Sequence, residues 1–184
     1  MWEFIQEETV WSFTTCGACQ EACPVYIRHI DFILDLRRAL VMSMKLDEKK
    51  NSLLLSLSSQ ENAIGLPNQD RNSWLHEMGI KKASEVNNAE NLIWVGCMGS
   101  FDPEAKDIVK NFVEILKKAG LQDDYAYLGE EEKCCGDPAR RLGEESKFQD
   151  LALTKLELFK KYGVKNIITI GPQGHNTFTT TYPK

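Results

Sequence analysis

Two hydrophobic periods divide this chain of 184 residues. Over residues 28–44, Ile30, Ile33, Leu34, Leu40, Val41 and Met44 recur at helical spacing while Arg37 and Arg38 point elsewhere, which predicts an amphipathic helix. Residues 46–58, with Leu53, Leu54, Leu55 and Leu57, predict a second. Residues 59–90 are polar. They carry the turn signal Gly65-Leu66-Pro67-Asn68 and a short helix over 73–78 that stops at Gly79, and they read as a connector wrapped on the C-terminal domain, without chemistry of its own. From residue 91 the period changes. Asn91-Leu92-Ile93-Trp94-Val95-Gly96 is a short apolar run that predicts a buried strand. Asp102 as N-cap, Pro103 at the first position and Gly120 past the end bracket a helix with Ile108, Phe112, Ile115, Leu116 and Ala119 on one face. Tyr125-Ala126-Tyr127-Leu128 predicts a second strand. Residues 144–162 predict a helix with Phe148, Leu151, Leu156 and Phe159 inward and Gly163 as its stop, and residues 164–170 predict a third strand.

Strand, helix, strand, helix, strand implies an α/β fold: a small parallel sheet flanked by helices, preceded by a mostly helical segment. In such sheets, sites form beyond the carboxyl ends of the strands. Cys97 follows the first strand, Cys134-Cys135 the second, and Gly171-Pro172-Gln173-Gly174 the third, so three distant segments converge on one edge.

Composition changes little. The apolar share of 42% and the charged share of 27% are ordinary for a globular protein. A net charge of −5 speaks against broad nucleic-acid binding, and no apolar run reaches the length of a membrane span. The start, Met1-Trp2-Glu3-Phe4, has no basic region or signal-peptide core. Among residues 1–15, Trp2, Phe4, Trp11 and Phe13 read as an apolar cover over the neighbouring cysteines.

Those cysteines change the picture most. Cys16, Cys19 and Cys23, closed by Pro24, stand in register with the cluster-binding run C-x2-C-x2-C-x3-C-P of bacterial ferredoxins. Phe13 occupies the slot of the first ligand. Thiolates are soft donors suited to iron bridged by sulfide, and Gly17 and Ala18 are small enough to let the backbone approach. In two-cluster ferredoxins the last cysteine serves the other cluster, so the chain reads as beginning inside a two-cluster module. Cys97, Cys134 and Cys135 make a second set, and their grouping favours metal ligation over disulfides. Gly136-Asp137-Pro138 is turn chemistry that places the adjacent pair in a loop. Arg140 and Arg141 are candidates to stabilise thiolates or an anionic cluster, or to form surface ion pairs. His29, His76 and His175 read as surface side chains.

Cys97, then 36 residues, then Cys134-Cys135-Gly136 resembles the cysteine-rich CCG domain of the heterodisulfide reductase family. Val95-Gly96-Cys97-Met98-Gly99-Ser100-Phe101-Asp102 and the run from Cys134 to Gly143 resemble the iron–sulfur-binding reductases of the heterodisulfide reductase-related branch. Cys16-Gly17-Ala18-Cys19-Gln20-Glu21-Ala22-Cys23-Pro24-Val25-Tyr26 resembles the end of that family's ferredoxin module. The resemblance implies residues 1–58 as the C-terminal half of a 4Fe–4S ferredoxin-type module with its following helices, 59–90 as a connector and 91–184 as a CCG domain. It implies a cubane 4Fe–4S cluster at Cys16, Cys19 and Cys23, and a non-cubane cluster at Cys97, Cys134 and Cys135. It implies electron transfer between a flavoprotein, such as electron-transfer flavoprotein, or another redox subunit, and a quinone or disulfide acceptor. The implied location is cytoplasmic, at the membrane face in a longer protein anchored by segments outside this one.

The departures are specific. The family's final Cys-Pro-His-Cys stands as Gly171-Pro172-Gln173-Gly174, with Asn176-Thr177-Phe178 and Tyr182-Pro183 still in register, and His175 beside the lost pair. The alternatives are therefore a scaffold that binds partner subunits without clusters, a structural zinc site that lacks a fourth cysteine in either half, and a Cys16/Cys19 thiol–disulfide catalyst. No nucleophile–base set, phosphate loop or dinucleotide fingerprint is present, so catalysis here would be electron transfer through clusters.

Overall fold

A computed structural model describes residues 5–69 and 71–183. Trp2 and Phe4 lie outside the described residues. The helices are α1 Glu7–Ser12, α2 Ala18–Glu21, α3 His29–Met42, α4 Glu48–Ser59, α5 Trp74–Glu77, α6 Gly96–Phe101, α7 Pro103–Lys118, α8 Asp137–Leu142, α9 Glu145–Tyr162 and α10 Pro172–Asn176. The strands are β1 Lys81–Lys82, β2 Asn91–Trp94, β3 Ala126–Tyr127 and β4 Asn166–Thr169.

All described pairings are parallel, in the order β1-β3-β2-β4. β2 lies centrally, pairing Leu92 with Ala126 on one side and Asn91 through Trp94 with Asn166 through Thr169 on the other. Its side chains alternate. Ile93 and Val95 pack with Val109, Val113 and Leu116 of α7, while Leu92 and Trp94 pack against Phe159 and Phe178. The sheet is thus buried on both faces, which is why β2 reads as an unbroken apolar run. Full burial of Leu92, Ile93 and Trp94 contributes on the order of 1.5–3 kcal/mol each.

The predicted α/β architecture stands, with local shifts. Asp102 caps α7 by accepting the Ala105 N–H at 2.9 Å, and Gly163 ends α9 at φ 68°. The buried stripe of α7 keeps Leu116 and, partly buried, Phe112 of the expected face but turns toward Val109 and Val113. Val109, Val113 and Leu116 are buried, whereas Ile108 and Ile115 are exposed. On α9, Lys155 is buried and Leu156 exposed. The polar stretch 59–90 contributes more than cover. Leu75 and Ile80 enter the core, and Lys81–Lys82 forms the edge strand.

The N-terminal helices sit on the sheet domain through arginine. Arg37, expected on the solvent side of its helix, is buried. Its Nη2 donates to the carbonyls of Val10, at 3.0 Å, and Phe13, and its Nη1 to that of Arg141 at 2.7 Å. α3 passes α8 so closely that a Cβ on Gly143 would come within 2.5 Å of the Arg38 nitrogen. Trp11 lies under Arg37 and Lys50, with the cations 5.1 and 4.6 Å from the ring, so it covers α3 and α4 and not the cysteine loop.

Candidate metal centre

Cys16, Cys19 and Cys23 occupy a near-surface loop. Gly17 turns the chain with φ 91° and starts α2, a conformation that side chains rarely adopt. Cys19 lies within α2, and the Cys23 Sγ accepts the Ile27 N–H at 3.4 Å. Cys16 is exposed, while Cys19 and Cys23 are half-buried. The Ala18 N–H, then the Thr14 hydroxyl, hold the Cys16 thiol below its ordinary range. The N–H groups of Ile27 and Val25 do the same for Cys23. Phe13, at the vacant ligand position, is held through its carbonyl by Arg37.

The second set meets deeper in the fold. A cavity of about 380 Å³ opens beyond the strand ends and is lined by Cys97, Cys134, Cys135, Gly171 and Gly174 together. The convergence read from the topology is therefore real: Cys97 lies in the first turn of α6, and Gly171 precedes α10. Trp94, Ile64, Met98 and Ile170 give the cavity apolar walls. Tyr182 donates its hydroxyl to the Cys135 carbonyl at 2.8 Å.

The three thiols influence one another. The Cys134 thiol beside it, followed by the Arg71 cation, pulls Cys97 down to about 6 against the effect of burial. Cys134 moves the other way, because its proton is shared with the flanking sulfurs of Cys135 and Cys97 and because it is buried. Cys134 also favours the Cys135 thiolate, as does the Asp137 N–H. The outer two sulfurs are thus inclined to be thiolates and the middle one keeps its proton.

The polar surroundings include a residue that sequence reasoning missed. Arg71 is buried, with Nη2 2.9 Å from Glu132 Oε1 and 3.9 Å from Cys97 Sγ, and Nε donating to Ser100 Oγ at 3.0 Å. Glu132, fully buried, accepts the N–H groups of Val95 at 3.0 Å and Gly96 at 2.8 Å. Burial pushes its carboxyl up, and Arg71 opposes that. Behind Cys134, burial pulls the Lys155 ammonium down to about 8.

Both missing ligand positions face this cavity, and the space they leave differs. A Cβ on Gly171 would meet nothing nearer than Thr169 Oγ1 at 3.8 Å. One on Gly174 would stand 3.1 Å from Thr169 Oγ1 and 3.3 Å from Trp94 Cδ1. His175 is exposed and does not line the cavity. Among the described residues no three cysteine, histidine or carboxylate side chains form a ready-made metal site. The donor set still fits an iron–sulfur group: three soft thiolate donors, room on the glycine side, and a buried Lys155 Nζ without a hydrogen-bond partner among the described residues. A chelate there must close around its guest.

The two cysteine sets share a wall. A second cavity of about 380 Å³ is bounded by Cys16 on one side and by Asp137, Arg141 and Gln173 on the other. Asp137 and Gln173 line the first cavity too. Arg141 bridges them, its Nε 2.8 Å from Asp137 Oδ2 and its Nη1 donating to Thr15 O at 2.9 Å and Thr15 Oγ1 at 2.6 Å. Of the two candidate arginines, Arg141 thus reaches the loop. Arg140 instead lies over the Phe148 ring at 5.8 Å.

Sheet, cavity and cysteine spacing define a cysteine-rich domain of the CCG family, whose pattern matches residues 91–179. The chain is similar to iron–sulfur-binding oxidoreductases and to a heterodisulfide reductase subunit. It is 39% identical over 98% of its length to a probable iron-sulfur-binding oxidoreductase, FadF, of Bacillus subtilis, covering 26% of that protein. It is 36% identical over 100% of its length to the EtfAB:quinone oxidoreductase of Syntrophomonas wolfei, again covering 26%. It is 26% identical over 88% of its length to one subunit of the dihydromethanophenazine:CoB–CoM heterodisulfide reductase of Methanosarcina barkeri, covering 39% of that subunit. The chain therefore spans about a quarter of the first two relatives. No solved structure gives a significant match.

Proposed function

We propose that this chain is an iron–sulfur electron-transfer segment of a larger oxidoreductase. Electrons pass between a flavoprotein of the electron-transfer-flavoprotein kind and a quinone or disulfide acceptor. The observation that carries the reading is the convergence of Cys97, Cys134 and Cys135, from separate strand ends, on one cavity that also holds Gly171 and Gly174. In this reading Cys97, Cys134 and Cys135 hold the CCG cluster, non-cubane in the complete motif, and Cys16, Cys19 and Cys23 contribute to a cubane 4Fe–4S cluster. The wall shared by the two cavities gives electrons a short way between them. No helix among the described residues is long and apolar enough to cross a membrane. The segment then works in the cytoplasm, at the membrane face where the longer protein is anchored.

A second reading is a scaffold that keeps the fold and has lost its clusters. Phe13, Gly171 and Gly174 in ligand positions favour it. Iron and acid-labile sulfide, measured with an EPR spectrum on protein reconstituted without oxygen, separate the two. Electron transfer predicts about four irons per assembled cluster, with one signal lost in Cys134→Ser/Cys135→Ser and another in Cys16→Ser/Cys19→Ser. A folded chain without iron or sulfide would establish the scaffold.

A further inference from the structure

Two cations are buried behind the cysteine cavity, and among the described residues only one has a partner. Arg71 is neutralised by Glu132, and both side chains are wholly shielded from water. Glu132 is fixed in turn by the N–H groups of Val95 and Gly96, the two residues before Cys97. Arg71 therefore takes its position from the strand end that delivers the first cysteine. Lys155 rises from α9, one turn after Leu151, on the face that packs against Cys134. It is fully buried, and its Nζ has no hydrogen-bond partner among the described residues. The charges around it are Glu61, Lys133, Cys134 and Arg71, and Glu61 is already paired with Lys133.

The charge count behind the cavity is thus two cations against one carboxylate. Burying an ammonium without a partner is costly, and folds retain one where an anion completes it. The Cys97 sulfur lies beside Arg71, so a thiolate there still leaves the Lys155 Nζ without a partner, whereas thiolates bound to a sulfide-bridged cluster supply that anion. We propose that Arg71 and Lys155 are positioning residues for an anionic guest at Cys97, Cys134 and Cys135: Arg71 a fixed cation beside Cys97, and Lys155 a donor left open for that guest. The proposal rests on the cluster reading and names the residues outside the ligand set that hold and tune the group.

The test uses the full chain, reconstituted without oxygen, as wild type, Lys155→Met, Lys155→Arg and Arg71→Lys. Iron retention against a chelator, the reduction potential and the melting temperature of the iron-free protein are read in parallel. Lys155→Met keeps length and apolar packing, so it folds. It should melt higher without iron, yet lose iron about tenfold faster, and its potential should shift to more negative values. Lys155→Arg should recover much of both properties, and Arg71→Lys should shift the potential less than Lys155→Met. A Lys155→Met protein with wild-type retention and potential overturns the proposal, as does a lower melting temperature without iron. Wild-type protein that takes up no iron or sulfide overturns the cluster reading itself, an outcome visible before any variant is compared.

Discussion

The loop of Cys16, Cys19 and Cys23 meets water, whereas Cys134 and Cys135 lie inside the fold and the half-buried Cys97 lines the same cavity. The difference shows in what favours the thiolates. In the loop it is the protein backbone: N–H groups of Ala18, Val25 and Ile27 point at sulfur, and solvent does the rest. In the cavity the sulfurs act on one another, and the balancing charges are side chains, Arg71, Lys155 and Glu132. An anion at the loop is screened by water, while one in the cavity must be matched by a buried cation. The loop is also bordered by exposed Val25, Tyr26 and Phe32, whereas the Cys135 carbonyl is held by the Tyr182 hydroxyl. Two cysteine sets of equal number are thus different electrostatic objects.

The largest way to break the comparison is to unbalance the buried side. Arg71→Ala leaves Glu132 charged, buried and unpaired, and should cost about 3–5 kcal/mol in urea unfolding of the iron-free protein. Lys161→Ala, which removes the partner of Glu131 at the surface, should leave the unfolding midpoint nearly unchanged. Equal losses for the two would show that Arg71 is not compensating a buried charge.

A gain should follow from completing the cavity. Gly171→Cys adds a Cβ without crowding, and Gly174→Cys needs Trp94 or Thr169 to yield a few tenths of an ångström. Changes around metal ligands alone shift affinity about 10–100-fold, so the double variant should retain iron at least about tenfold longer against a chelator. Gly174→Cys alone should cost the iron-free protein about 1 kcal/mol in stability through that tight contact. Retention unchanged in the double variant would mean the cavity is not where iron is held.

A smaller contrast lies in thiol reactivity with pH. Lowered values mean that the folded protein releases these protons early, so both alkylation profiles lie acid-ward of an ordinary thiol. For Cys97, with a value of about 6, the rate in iron-free protein should level off above roughly pH 7. Cys16 is lowered by backbone and hydroxyl donors and not by neighbouring thiols, and its profile should differ from that of Cys97. Cys134, whose proton is held by its neighbours, should stay unreactive throughout. Mass-resolved alkylation across pH 5–9 checks all three, and a Cys97 profile like that of Cys16 would show that its neighbours do not set its acidity.

Much of this was legible in the chain. Asp102-Pro103, Gly163 and the apolar run before Cys97 carry local signals for elements that formed as expected, and the parallel sense of the sheet followed from their alternation. The glycines at 171 and 174 were placed with the cysteines because each group follows a strand of one parallel sheet, and they line the same cavity. The charged residues were harder. Lys155 lies four residues after Leu151 and seven after Phe148, so its helical face did announce burial. Arg37 likewise falls between Leu34 and Leu40 on the buried face of α3. Arg71 had no such signal. It stands in a polar stretch, and what buries it is Glu132, 61 residues later in sequence. The two-residue strand Lys81–Lys82 is too short and too charged to show a period.

The finest test concerns the joint between the two regions. Arg141 is the side chain that ties Thr15, next to Cys16, to Asp137, two residues after Cys135. Its side chain is partly exposed, so water replaces some of what is lost on removal. Arg141→Met should therefore cost only about 1 kcal/mol of global stability. Its local effect should be sharper, because the Arg37 contacts to the carbonyls of Val10 and Phe13 end just before the loop. Amide hydrogen exchange should quicken over residues 15–23 and stay unchanged at Val95 and Gly96, whose N–H groups are held by Glu132. If exchange quickens equally in both places, the loop and the cavity are one cooperative unit and the contrast between them is only one of depth.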